Sequence, residues 1–207
     1  MDMMGIRRAV LMATDPDLPP GYRRVDYIRS ESSAFIQTDY VPVRYDEIES
    51  EFTIDTNSLR CLFSAGMGTY QLVFLTQSGS NSYTYLRYFD SSAPSYKFSL
   101  QEGAWNSLRL SGNGVLTING VSNSYTYKSA IDGTNGNMYV FIRSNKQSAF
   151  IGKLRKFKIT NSGTLKLNLI PCIRGSDGKA GVYDTVSKTF YGSASAYDEF
   201  IPSTADS

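Results

Sequence analysis

Histidine is absent from this chain of 207 residues. Without an imidazole, Ser-His-Asp and Cys-His mechanisms lose their general base, and a zinc site of the Cys/His kind loses half its ligands. Cysteine is almost as scarce. Cys61 and Cys172 fit no CxxC spacing, and they read as two separate buried thiols acting as small hydrophobes, with a disulfide as the alternative. Charged residues make up only 19% of the chain, and 21 Lys and Arg against 19 Asp and Glu leave a net charge of +2. No face-long basic tract is present, so the electrostatic footprint of a nucleic-acid binder is missing. Long apolar runs are missing too. The segment Ala9 to Ala13 is shorter than a signal core and far too short to span a bilayer, so no membrane partner is expected. No stretch keeps a helical period.

What remains is the balance of a globular β protein: 41% hydrophobic residues, 15 Tyr, 11 Phe and 17 Gly. From Arg23 onward, short strand-like runs alternate with turns at Ser78–Asn81, Ser91–Pro94, Gly112–Gly114, Asn119-Gly120 and Asp132–Asn137. Asn119-Gly120, between Val115–Ile118 and Val121, predicts a tight type I′ hairpin. The C-terminal run predicts a strand through Ile170-Pro171-Cys172, a turn over Gly175–Gly178, a strand Gly181–Asp184, a turn through Ser187-Lys188, and a closing strand Thr189-Phe190-Tyr191. These signals predict an all-β, two-sheet antiparallel sandwich over residues 21–207. Residues 1–20 differ in composition. Ile6, Arg7, Arg8, Val10 and Leu11 form a basic-then-apolar segment, and Asp15–Pro20 a stiff, extended linker. Together they predict an N-terminal arm that lies on a partner or on a neighbouring copy, with a frayed terminus as the alternative.

Three blocks carry a family resemblance. The run LNLIPCIRGSDGKAGVYDTVSKTFYGSAS (residues 167–195) resembles the end of a concanavalin A-like, laminin-G-like jelly-roll domain of the type found in tailed-bacteriophage structural proteins. Gly21–Ile28, followed by Ala34-Phe35-Ile36, Thr38 and Tyr40, is similar to the opening of that domain, and Phe157–Ile159 with Asn161–Leu165 to its late hairpin. The resemblance implies a jelly-roll sandwich and a non-enzymatic virion structural protein, made in the bacterial host cytoplasm and displayed on the head or tail surface. Its partners would be capsid or tail proteins and further copies of itself, a trimer being the form suited to a fibre or spike. The arm, through Ile6, Arg7, Arg8, Val10 and Leu11, would dock it to the particle or knit the oligomer. A stand-alone lectin-like module is the alternative, and host-surface glycans are a partner under either reading.

Candidate sites follow from residue types. Tyr83 and Tyr85 share a strand face with Arg87, and Tyr125 and Tyr127 share another. Exposed rings among polar groups stack on sugars, although the same rings serve equally as cross-strand packing partners. In Glu47-Ile48-Glu49-Ser50-Glu51-Phe52, alternation puts three carboxylates on one face of a strand, a pattern near the E-x-D-x-(x)-E strand of jelly-roll glucanases. The middle residue is Glu and no Trp is close by in the chain, so a solvated polar face is the expectation and no catalytic residue is assigned. The Asp132–Asn137 loop offers too few carboxylates for calcium and reads as a Gly/Asn turn. No metal or cofactor is expected. The basic run Lys153–Lys158 reads as a solvated strand whose charges deter edge pairing, with contact to phosphate or an acidic polymer as the alternative, and Trp105 as a core or rim packing residue.

Overall fold

The computed structural model describes residues 15–56, 58–68, 70–76, 83–89, 95–98, 100–125 and 132–204, and for Tyr83, Ser95 and Tyr96 the backbone only. The docking residues expected at Ile6, Arg7, Arg8, Val10 and Leu11, and Tyr127, lie outside the described residues.

Every regular element among the described residues is a strand. In chain order these are β1 (Tyr22–Arg24), β2 (Ile28–Ser30), β3 (Ile36–Gln37), β4 (Asp46–Phe52), β5 (Arg60–Ala65) and β6 (Leu72–Thr76). Next come β7 (Tyr83–Tyr88), β8 (Ser95–Lys97), β9 (Asn106–Ser111), β10 (Val115–Ile118), β11 (Val121–Ser124) and β12 (Met138–Val140). The chain closes with β13 (Gly152–Asn161), β14 (Thr164–Arg174), β15 (Ala180–Asp184), β16 (Thr189–Tyr191) and β17 (Ile201–Pro202).

They form two antiparallel sheets. The larger has the order β11-β10-β9-β4-β13-β14-β15-β16, with β1 paired to β14, β2 to β13 and β17 to β2; the smaller has the order β3-β12-β5-β6-β7-β8. Alternation in sequence becomes alternation in burial. Along β4, Asp46, Ile48, Ser50 and Phe52 point inward while Glu47, Glu49 and Glu51 point out. Phe63 of the smaller sheet stacks on Phe74 (centroids 5.3 Å apart) and meets Phe157 of the larger sheet edge-on at 5.7 Å, which locks the two layers at mid-core.

Of the expected turns, Ser78–Asn81 and Ser91–Pro94 lie outside the described residues, and the Asn-Gly hairpin takes its expected geometry. Asn119 (φ 50°) and Gly120 (φ 82°) join β10 to β11 in the left-handed conformation that a type I′ turn demands, and Ser162 (φ 49°) and Gly163 (φ 75°) do the same between β13 and β14. Both cysteines are buried free thiols, and burial pushes each up to about 12, which leaves them unreactive.

At the β3–β4 corner, the buried Asp46 carboxylate accepts hydrogen bonds from the Tyr40 hydroxyl (2.8 Å), the Val43 amide (2.9 Å) and the Asn161 side-chain amide (2.9 Å). Burial raises its pKa, and these three donors offset part of that desolvation.

The described part of the Pro-rich segment is turned and laid on the larger sheet, where an extended linker was expected. Leu18, 8% exposed, wedges against Ile170, Cys172 and Tyr183, with Tyr22 and Phe190 at its sides. Arg24 clamps the segment by bonding Asp15 and, at 2.9 Å, Asp17. The apolar outer faces of β14 and β15 are the reason: uncovered, they would stand in water.

Candidate glycan platform on the larger sheet

The best-furnished surface lies on the outer faces of β4, β9 and β13. Glu47 pairs with Arg109 of β9 at 3.2 Å, Glu49 with Lys156 of β13 at 2.8 Å, and Glu51 with Arg155 of β13. The basic run is therefore not an edge, as expected from sequence, but a central strand whose cations meet the glutamates of β4. Lys156, bonded to it, holds the Glu49 carboxyl below the usual carboxylate range.

A bulge builds the rest of the site. Opposite Phe52 and Glu51, β13 supplies Leu154 and Lys156, and Arg155 is the extra residue between them. Two consecutive cations thereby face outward, and the Ser50 hydroxyl donates to the Lys156 carbonyl at 3.1 Å beneath the bulge. The Arg155 guanidinium lies 4.4 Å from the centre of the Trp105 ring. The indole, 36% exposed, is delivered by the turn that ends at Ala104 and opens β9. Tyr27 stands beside it with ring centroids 6.0 Å apart, its carbonyl held by the Ser203 amide, and the Lys153 ammonium sits 4.8 Å above the Tyr27 ring. Glu49, Glu51, Ser107, Arg109, Thr117 and Lys156 line a shallow depression of ≈190 Å³ along this face. The surface thus joins an aromatic end, where the Tyr27 and Trp105 rings are tilted 58° to one another, to a row of fixed donors and acceptors.

The sequence-predicted tyrosines have other places. Tyr125 is 6% exposed: its ring packs edge-on against Tyr88 at 5.1 Å and its hydroxyl donates to the Ser111 carbonyl, which leaves no ring face for a ligand and corrects the expectation of a surface platform there. Tyr85, half-buried, lies on the outer face of the smaller sheet with Arg87. Sequence reading placed Trp105 in packing and Arg155 in a solvated basic strand and did not bring the two together, because they are far apart in the chain. The one local signal was the paired basic residues where β13 bulges.

A second cavity, of ≈970 Å³, is lined by residues 15–24 with Ile173 and Gly175. Its walls include Pro16, Leu18, Pro19 and Pro20, and of its two arginines Arg24 is already taken by Asp15 and Asp17. In the Asp132–Asn137 loop, the Asp132 side chain is 96% exposed and the Asn135 Oδ1 is occupied by the Met67 amide at 2.8 Å. Among the described residues, no group of three or more Cys, Asp or Glu side chains is gathered for a metal.

No protein-family profile matches the chain, and no curated protein does. Solved structures do. A provisionally assigned carbohydrate binding protein from Bacteroides ovatus matches with a TM-score of 0.56 and 13% identity over 89% of this chain, which spans 61% of that protein's length. The native heptameric SAP-like pentraxin from Limulus polyphemus matches with a TM-score of 0.52 and 13% identity over 66% of this chain and 76% of its own. What these likenesses show is the fold: a two-sheet, antiparallel jelly-roll β-sandwich.

Proposed function

We propose that this chain is a non-enzymatic, carbohydrate-binding jelly-roll module that reads glycans on the Trp105 and Tyr27 platform. One observation carries the reading: an exposed indole fixed by Tyr27 and Arg155 stands at the end of an ion-paired ladder of carboxylates and cations. A pyranose ring needs both parts, an aromatic face for its C–H face and fixed donor–acceptor pairs for its hydroxyls. The printed description of the Bacteroides ovatus protein as carbohydrate binding supports the same class.

Trp105→Ala tests the reading. Glycan binding measured by array and then by calorimetry should fall at least about tenfold, roughly 1.4 kcal/mol, while the thermal midpoint moves little because the ring is partly exposed. Tyr85→Ala serves as the contrast on the other sheet, and full binding by Trp105→Ala with loss in Tyr85→Ala would move the site to the smaller sheet. The sequence resemblance supports a setting on the surface of a tailed-phage particle, with the N-terminal arm of residues 1–20, through Ile6, Arg7, Arg8, Val10 and Leu11, as the attachment. Mass spectrometry of purified particles decides it, through the copy number relative to the major capsid protein.

A further inference from the structure

The platform carries more positive charge than its own carboxylates satisfy. Five cations project from it, Arg109 on β9 and Lys153, Arg155, Lys156 and Lys158 on β13, against the three glutamates of β4. Arg109, Lys156 and Arg155 are each bonded to one glutamate. Lys158 stands opposite Glu49 in the strand register, but that carboxylate is already bonded to Lys156. Among the described residues, neither Lys153 nor Lys158 has a carboxylate within 4.0 Å. The nearby acids offer none: Asp55 is bonded to Arg29 and Thr53, and Glu31 to Arg29. Lys153 meanwhile sits against the Tyr27 ring, beside the aromatic end of the platform.

Resting on the glycan reading above, we infer that the ligand is an anionic glycan, one whose sugar rings bear carboxylate or sulfate groups. Of the two surplus ammonium groups, Lys153 lies beyond the Glu51 end of the ladder and Lys158 beside its middle rung, so acidic groups along a glycan would each meet a cation with three donors to give while a ring stacks on Trp105. A neutral glycan would leave both lysines unused.

The test is an array of matched neutral, uronate-bearing and sulfated glycans, with a DNA oligonucleotide as a non-sugar polyanion, read with the full chain. Acidic glycans should dominate the bound set, and raising ionic strength from low to physiological should weaken them. Replacing Lys153→Gln and Lys158→Gln together should weaken acidic glycans about tenfold, with Lys153→Arg and Lys158→Arg restoring them. Neutral glycans bound through Trp105 would overturn the anionic inference and leave the glycan reading intact. Equal binding of DNA would overturn it as well, showing attraction to polyanions at large, and an array with no bound glycan would remove both readings.

Discussion

On the outer face of the larger sheet, β4, β9 and β13 present charge while β14 and β15 present hydrocarbon, although all five belong to one hydrogen-bonded array. The charged half is open to solvent, its three glutamates each bonded to an Arg or Lys of a neighbouring strand. The apolar half is closed by residues 15–22, with Leu18 as the wedge. What an outward face carries decides whether it can serve as a surface: fixed charges leave a face free to meet a ligand, and an apolar face must be sealed first.

Leu18→Asp should break that contrast most severely. A carboxylate would be forced against Ile170 and Tyr183 in place of a buried apolar wedge, and about 3 kcal/mol should be lost in urea unfolding. Cys172, now 0% exposed, should react with thiol reagents in this variant. An unchanged unfolding midpoint would mean that the cover contributes nothing. Glycan binding on the charged half should survive as long as the variant is folded.

Acid should separate the halves more gently. Arg24 holds Asp15 below its ordinary carboxylate value, so this contribution is fully present above about pH 4 and is lost as pH falls through the lower folded value. Amide protection factors at Leu18 and Tyr22 should drop between pH 6 and pH 3 more than those of the central strand β13; equal loss in both would detach the cover from its clamp.

Smallest of the expected effects is Glu47→Gln, since both members of its ion pair are more than one third exposed. The midpoint should move by only a few tenths of a kcal/mol. A larger shift would make the ladder a structural element as well as a binding surface.

The fold was legible where the chain speaks locally. Asn119-Gly120 and the strict alternation of Glu47 to Phe52 each specify a short piece of sheet through φ preference or period, while the Ser162-Gly163 turn was legible only through the family resemblance. The platform was not, because Trp105 meets Arg155 only through a register that brings β9, β4 and β13 side by side, and no local period records that order. Arg155 faces outward because of a bulge, which a pattern of period two does not foresee. Tyr125 misled for a related reason: the residue after a strand end can turn its ring into the core, and alternation stops being a guide there. In Asp15–Pro20 the prolines suggested a free spacer, while the need to cover Cys172 and Tyr183 bent the segment onto the sheet.

The long β13–β14 hairpin has a consequence for how the chain acquires its shape. Its two strands are joined by a two-residue turn and are neighbours in sequence, so they can pair within microseconds of meeting. The other partners of β13 are distant: Glu51 and Arg155 are 104 positions apart. During synthesis β2 and β4 therefore emerge long before the strand that completes them, and they wait as unpaired edges until the hairpin is made and collects them. Folding is expected to be late and abrupt, nucleated near the C-terminal end and slowed by the loop that must close across the middle of the chain.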